Sequence, residues 1–385
     1  MKTVLTAERL WDGARAVARP FVVLEEGVLV AVGSQLESEL PRDARRLDFA
    51  GATLAPSFFD VHIHGAAGHD VMEATPEAFL RVGRMLAAHG TGKYLATTVT
   101  AAVDQTLLAL EGIARSIDAP AEGPVARPVG IHLEGPFLSH SKRGVHPPEK
   151  LLEPSIELFD RFCAAANGHV KLMTIAPELP GAVELIAHAR TRGVSISIGH
   201  SNANAAETRR AIAAGAANAT HTFNAMRPLD HREPGILGVV LAEDAIFSEL
   251  ICDGVHTCAE IVRIWWKAKG AERALLVTDA MSAAGMPDGR YMLGGFPVEV
   301  SGGKATAHGV LAGSVLTLDR ALANFLAFTG ASLDDGLNLL TRNPAAMTGI
   351  DVAPLTLGVA ANLVAVNGEG KLLASVVNGV VATGL

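Results

Sequence analysis

Eight apolar runs with β-character recur along the middle of the chain, at 53–59, 93–98, 128–133, 170–175, 194–199, 217–220, 247–251 and 274–278. Segments with apolar residues at helical spacing lie between most of them, at 75–88, 104–116, 155–166, 180–191, 204–214 and 259–269. Two more, 317–328 and 333–341, follow the eighth run. Strand–helix alternation of this kind predicts an α/β fold, a (β/α)8 TIM-like barrel of parallel strands. The ends of the chain read differently. Residues 3–10, 21–32 and 46–54, and then 361–366, 371–377 and 379–382, are short β runs broken by turn pairs such as Asp12-Gly13, Asn367-Gly368 and Asn378-Gly379. Neither group has enough strands to bury a core alone. They are expected to combine into one small β domain, 1–53 with 351–385, beside a barrel at 54–350. A chain of 385 residues, 49% hydrophobic, has room for both.

Charge and cysteine usage narrow the function classes. The net charge is −8 and no Lys/Arg cluster stands out, which argues against a nucleic-acid or membrane-surface protein. No uncharged apolar run reaches the roughly 18 residues that cross a bilayer. Three cysteines without a CxxC pair, and a start without a signal-peptide apolar core, point to the reducing cytoplasm.

Chemistry-bearing residues stand just past the runs. Asp60, His62 and His64 follow the first, Glu134 the third, Glu178 the fourth, His200 the fifth and His221 the sixth. Asp253 and His256 follow the seventh, and Asp279 the eighth. In a barrel these positions share one mouth, where active sites sit. His62 and His64, two apart on extended backbone, point to one face. Alone, that pair equally suits two hydrogen-bonded loop histidines. Four histidines and two carboxylates at one mouth instead suit Zn²⁺ or a similar divalent ion. Such an ion lowers the pKa of bound water to about 7, and a neighbouring carboxylate passes the proton to a leaving nitrogen. Asp279 is the candidate base and acid, and the chemistry is hydrolysis of an amide or related C–N bond. Asp60 is a candidate for orienting a ligand imidazole. Glu178 suits a turn cap, and His69, His89, His188 and His308 suit loop or packing positions.

Ten short motifs go further: His62-Ile-His-Gly65, His132-Leu-Glu-Gly-Pro-Phe137, Lys142-Arg-Gly-Val-His-Pro147, Ile175-Ala-Pro-Glu178, Gly199-His-Ser-Asn202, Thr220-His-Thr-Phe-Asn-Ala-Met226, Arg232-Glu-Pro-Gly235, Asp253-Gly-Val-His256, Leu276-Val-Thr-Asp-Ala280 and Leu311-Ala-Gly-Ser314. In this order they resemble the amidohydrolase superfamily and, within it, the N-acetylglucosamine-6-phosphate deacetylases, along nearly the whole chain, and the terminal strands, 1–53 with 351–385, resemble that superfamily's small β-sandwich domain. The resemblance implies release of acetate from N-acetyl-D-glucosamine 6-phosphate, in amino-sugar catabolism and cell-wall sugar recycling. It implies that Glu134, His200 and His221 hold the main ion. His62 and His64, which vary among such enzymes, are then placed to hold a second with Glu134 bridging. Zn²⁺ is the expected metal, with Fe²⁺, Mn²⁺ or Co²⁺ as alternatives. Asp279 is implied as general base and then acid, and His146 as the donor to the acetyl carbonyl oxygen. Asn224, the Ala225 backbone N–H and His256 are implied to meet the sugar phosphate, and Leu311 to line the sugar pocket. Arg232 is implied to reach the phosphate across a homodimer interface. Three other readings stay open: the galactosamine epimer as substrate, another amidohydrolase activity, and a metal-binding scaffold without catalysis. Asp279 and His146 argue against a scaffold. A carboxylated lysine bridging two ions is disfavoured, because Lys171 lies at the wrong end of its strand.

Overall fold

The computed structural model describes residues 2–120, 123–350 and 355–383. Where apolar runs were expected to pair, eight parallel strands lie side by side in chain order: β1 (Phe58–Ile63), β2 (Thr91–Thr98), β3 (Arg127–Glu134), β4 (Val170–Ile175), β5 (Ser195–Ile198), β6 (Asn218–Ala219), β7 (Phe247–Ile251) and β8 (Ala274–Val277). They are buried on both faces, which is why they read as continuous apolar runs rather than as alternating ones. The circle closes beyond the ends of β8 and β1. The Asp279 N–H donates to the His62 carbonyl at 2.9 Å and the His64 N–H to the Ala280 carbonyl at 2.8 Å. Asp60 reinforces this seam, its Oδ2 accepting from the Thr278 hydroxyl at 2.6 Å and its Oδ1 from the His62 backbone N–H at 3.2 Å. Asp60 therefore ties strand to strand and turns no imidazole.

Helices cover the outside: Pro76–Ala88, Val103–Asp118, Ile156–Ala165, Ala182–Thr191, Ala205–Ala214, Ala259–Arg273, Leu318–Thr329 and Leu333–Leu340. Several begin where a Ser, Thr or Asn side chain accepts an otherwise orphaned N–H: Thr75, Ser155, Asn204 and Ser332. Trp265 anchors one flank, fully buried, with its indole N–H donating to the Ser248 hydroxyl at 2.8 Å.

The terminal strands form one mixed sheet. In it Leu363–Val366 lies antiparallel to Arg45–Pro56, which lies parallel to Lys2–Trp11. The sheet curls until Val28–Ser34, its far edge, meets the segment leading into Leu363, through Leu29 N to Val359 O at 2.9 Å and Gly358 N to Leu29 O at 2.8 Å. Leu5, Leu24 and Leu29 from one end of the chain thereby share a core with Leu363, Ala374 and Val376 from the other. The expected boundary at 351 lies outside the described residues.

Three features differ from expectation. The first barrel strand begins at Phe58, because residues 53–56 finish the strand of the terminal sheet. One apolar run serves two sheets, and His62 sits inside β1 rather than after it. The helix Gly235–Ala242 was not expected; its Gly-Ile-Leu-Gly-Val-Val-Leu-Ala sequence is apolar all round and carries no helical stripe. Residues 289–311 form a four-stranded antiparallel sheet inserted after β8, whose Leu293, Val298, Val300 and Ala305 pack with Val99 and Met281 over the barrel mouth.

Lys269, 6% exposed, reaches from its helix to the end of Gly235–Ala242, Nζ donating to Val240 O at 3.0 Å and Glu243 O at 2.6 Å. Burial pushes its ammonium down to about 8, opposed in part by Asp244 and Glu243. An unfolded lysine titrates near about 10.4. Between about pH 8 and 10 the unfolded chain thus binds more protons, and this residue's contribution to stability rises with pH. Compared with Lys269→Met in denaturant titrations, the wild type is expected to gain about 1–3 kcal/mol across that window. The comparison cancels the cysteines and tyrosines common to both chains, and a flat difference would refute the assignment.

Candidate metal centre and catalytic cleft

The strand ends deliver their side chains to one point. Glu134, at the end of β3, is 3% exposed and stands among five imidazoles. Its Oε1 lies 3.3 Å from His62 Nε2, 3.3 Å from His200 Nε2 and 3.2 Å from His221 Nε2. Its Oε2 lies 3.3 Å from His64 Nε2 and 3.4 Å from His146 Nε2. Asp279 Oδ1 is 3.0 Å from His64 Nε2 and 3.6 Å from His62 Nε2. Two ligand sets result, Glu134–His200–His221 and His62–His64–Asp279, each with its donor atoms within 4.8 Å of one another.

The other ring nitrogen fixes the tautomer of four of the five histidines. His64 Nδ1 faces the Thr97 carbonyl at 3.0 Å and His200 Nδ1 the Lys142 carbonyl at 2.9 Å. His62 Nδ1 faces Glu249 Oε2 at 3.1 Å. Carbonyls and carboxylates only accept, so these Nδ1 atoms carry protons, which leaves each Nε2 as the atom that holds the lone pair when its ring is neutral. His146 is the opposite. Its Nδ1 accepts the Thr100 backbone N–H at 3.3 Å and lies 2.8 Å from the Thr100 hydroxyl. A backbone N–H is always a donor, so Nε2 of His146 carries the proton and points it into the cleft.

These Nε2 atoms converge on the two carboxylates. His200 and His221 bring Nε2 atoms within 3.0 Å of each other, and the buried His62 Nε2 has no hydrogen-bond partner. Such a centre takes up positive charge. Burial works against a charged His64, but the hydrogen bonds to Asp279 and Glu134 outweigh it and raise the ring to about 9. Burial likewise works to raise the Asp279 carboxyl, yet charge on His62 and the hydrogen bond from His64 hold it down to about 2. Glu134 is held well below the usual carboxylate range against its burial by charge on His62 and by His146, His200 and His221. Nitrogen and carboxylate donors at these separations, with every Nδ1 proton but that of His221 committed elsewhere, fit divalent metal ions.

The backbone is bent to achieve this. His200, His221, Phe223, Ala225 and Asp279 have φ of 46°, 27°, 82°, 51° and 49°, a left-handed region that non-glycine residues adopt at a cost and that clusters at functional sites. Gly65 is required beside the histidine pair, because a Cβ there would lie 2.2 Å from the His69 carbonyl oxygen.

A cleft of about 330 Å³ opens above the centre. His64, Glu134, His146, His200, His221, Asn224, Ala225, His256, Asp279 and Leu311 line it, and His62 lies just beneath. The inserted sheet contributes Leu293 and Val310, and the loop before His146 contributes Lys142. His256 Nδ1 is held by Asp253 Oδ2 at 2.7 Å, leaving Nε2 free to face the cleft. Arg232 is exposed and does not line the cleft of its own chain. Glu178 accepts from Ser201 Oγ at 2.7 Å and Asn202 N at 2.6 Å, binding the β4 and β5 loops together. Sequence reasoning missed Glu249, Thr97 and Thr100. Glu249 was legible in principle, as a lone charge inside the apolar run Phe247-Ser-Glu-Leu-Ile251.

Comparison with known proteins gives a consistent result. The amidohydrolase family matches residues 53–382. The N-acetylgalactosamine-6-phosphate deacetylase of Escherichia coli O157:H7 is 36% identical over 95% of this chain and 96% of its own. The N-acetylglucosamine-6-phosphate deacetylase of Bacillus subtilis is 35% identical over 94% and 92%. Among solved structures, an aspartate-to-alanine variant of N-acetyl-D-glucosamine-6-phosphate deacetylase from Mycobacterium smegmatis, in complex with N-acetyl-D-glucosamine-6-phosphate, superposes with a TM-score of 0.91 at 34% identity, covering 99% of both chains.

Proposed function

The chain belongs to the amidohydrolase family, and from that premise we propose that it hydrolyses the acetamido group of N-acetyl-D-glucosamine 6-phosphate to D-glucosamine 6-phosphate and acetate. One observation carries the reading. His64 and His200 turn their Nε2 atoms, and His146 its N–H, into a single cleft, with His62 Nε2 just beneath, so a ligand set and a proton donor share one mouth.

Glu134, His200 and His221 would hold one ion, and His62, His64 and Asp279 a second, with Zn²⁺ the best match to this donor set. When bound, the metal would supply Lewis acidity, acidifying water and polarising the amide carbonyl. Asp279, ionised at neutral pH, takes a proton from the attacking water. As the water oxygen bonds to the carbonyl carbon and the C–N bond breaks, Asp279 returns that proton to the amide nitrogen, and the second water proton passes from the acetic acid so formed to the amine, so acetate and the ammonium form of the sugar leave in balance. His146 donates its Nε2–H to the carbonyl oxygen as charge builds there. The Ala225 N–H, which has no acceptor among the described residues, meets the sugar phosphate with Asn224 and His256. Leu311 walls the sugar ring. Arg232, which does not line its own cleft, would reach the phosphate of a second copy in a homodimer. Among the described residues no helix is long and apolar enough to cross a membrane. Three free cysteines and a sugar-phosphate substrate suit the cytoplasm. The galactosamine epimer is the second reading, since the Escherichia coli relative carries that name.

The test is acetate release from both N-acetylhexosamine 6-phosphates and from the plain sugars, with metal analysis of the same preparation. No release from either phosphate would refute the proposal. Arg232→Ala is expected to raise KM for the 6-phosphate about 10- to 100-fold, the cost of a charge-assisted hydrogen bond, and to leave the plain sugar unchanged. Equal effects on both, or a fully active monomer by light scattering, would remove Arg232 from the site.

A further inference from the structure

Glu249, in the middle of β7, is wholly buried and has no place in the scheme above. Its Oε2 accepts from His62 Nδ1 at 3.1 Å and from the His221 backbone N–H at 3.2 Å. Its Oε1 accepts from the Asn218 side-chain amide. The same amide donates to Ser197 Oγ at 3.1 Å, and hydroxyl contacts continue from Ser197 to Thr220 and from Thr220 to Thr174 at 2.8 Å. Thr174 meets His132 Nε2 at 2.8 Å, and His132 Nδ1 lies 3.4 Å from Thr97 Oγ1. Thr97 Oγ1 then accepts the Ile63 N–H at 2.9 Å, one residue from His62. A polar belt thus runs around the barrel beneath the metal centre, from β7 back to β1, and Glu249 is its one carboxylate.

A buried carboxylate is costly unless all its partners are in place. Asn218 and the His221 N–H would be satisfied by a neutral oxygen. His62 is different: the protons of His64 and His200 go to backbone carbonyls, which no substitution removes, whereas that of His62 goes to a side chain. Its tautomer therefore rests on one residue.

We propose that Glu249 is the positioning residue that makes His62 a metal ligand. By holding the Nδ1 proton it turns the Nε2 lone pair toward Asp279 and Glu134, and so decides whether the His62–His64–Asp279 set binds a second ion. This rests on the two-ion reading above. Without Glu249 the chain keeps the ion at Glu134–His200–His221 and holds the other more weakly.

The test is metal content of purified holoenzyme, with Zn²⁺ and Co²⁺ titration of chelator-treated protein, for wild type, Glu249→Leu, Glu249→Gln, His62→Asn and the double variant Glu249→Leu/His62→Asn. Wild type is expected to bind two ions per chain. Glu249→Leu is expected to weaken the second about 10- to 100-fold and leave the tight-site Co²⁺ absorption unchanged. Glu249→Gln keeps an oxygen for His62 and, once the Asn218 amide turns over, presents its own amide to the Asn218 carbonyl oxygen, which has no partner in the wild type. It should restore most of the affinity, falling only a few-fold short. His62→Asn should abolish the effect of Glu249→Leu. Two ions at wild-type affinity in Glu249→Leu, or a further loss in the double variant, would overturn the proposal. If the leucine variant does not fold, Glu249→Gln decides: a weakened second ion beside an unchanged first supports it, and unchanged affinity for both refutes it. A single ion in wild type would overturn the two-ion reading itself, and is seen before any variant is compared.

Discussion

Asp279→Asn is expected to lower kcat by about 10²–10⁴-fold, the range over which positioned acid–base groups act, while KM for the sugar phosphate stays within a few-fold. The asparagine is isosteric and occupies the same bend beyond β8, where the Asp279 N–H donates to His62 O and the Asp279 carbonyl accepts from Ser314 N at 2.7 Å. Those backbone bonds survive the change. What is lost is a basic oxygen 3.0 Å from His64 Nε2, facing the cleft. An amide neither takes a proton from water nor returns one to nitrogen, so the loss falls on the chemical step and not on binding. The set Glu134–His200–His221 does not include Asp279, and metal analysis is expected to show its ion retained. Turnover close to wild type with that ion in place would remove Asp279 from the proton path. Loss of every ion would make it a ligand first.

Residues that act through their own position in a repeat were readable from sequence, and residues that act through a partner were not. His200, His221 and Asp279 stand just past a strand, and strand ends can be counted. Glu134 closes its strand and was found in the same way. His146 lies in a loop, and nothing in its spacing says that Thr100 fixes its tautomer; the family resemblance alone singled it out. Glu249 lies within a strand and points inward, so a count of strand ends passes over it. The first barrel strand was placed five residues early because residues 53–59 read as one run, and only tertiary pairing divides them between two sheets. The helix Gly235–Ala242 has no polar face to set a period. The inserted sheet at 289–311 lies outside the β/α alternation, yet it supplies the leucine and valine walls of the cleft.

Glu134→Gln tests the centre as a whole. The two oxygens of Glu134 face different partners: Oε1 meets His62, His200 and His221, and Oε2 meets His64 and His146. A glutamine amide must present N–H to one of these groups whichever way it turns. Against the first it confronts lone pairs it can satisfy only by displacing an ion. Against the second it confronts the His146 N–H, donor to donor. The change also removes the negative charge that buried cations require. In the wild type, zinc at about 1,000-fold over its dissociation constant is expected to add about 4 kcal/mol, a melting shift of roughly 5 °C for a cooperative chain of this length. Glu134→Gln is expected to abolish that zinc-dependent shift and to lower turnover by about 10³-fold or more, the equivalent of several kcal/mol of lost Lewis-acid assistance. Thermal melts of chelator-treated protein with and without zinc, beside acetate release, measure both. A variant that still gains the full shift and keeps turnover within tenfold would mean that the ions are held without Glu134, and that the meeting of five imidazoles on its carboxylate is a packing arrangement rather than the metal centre.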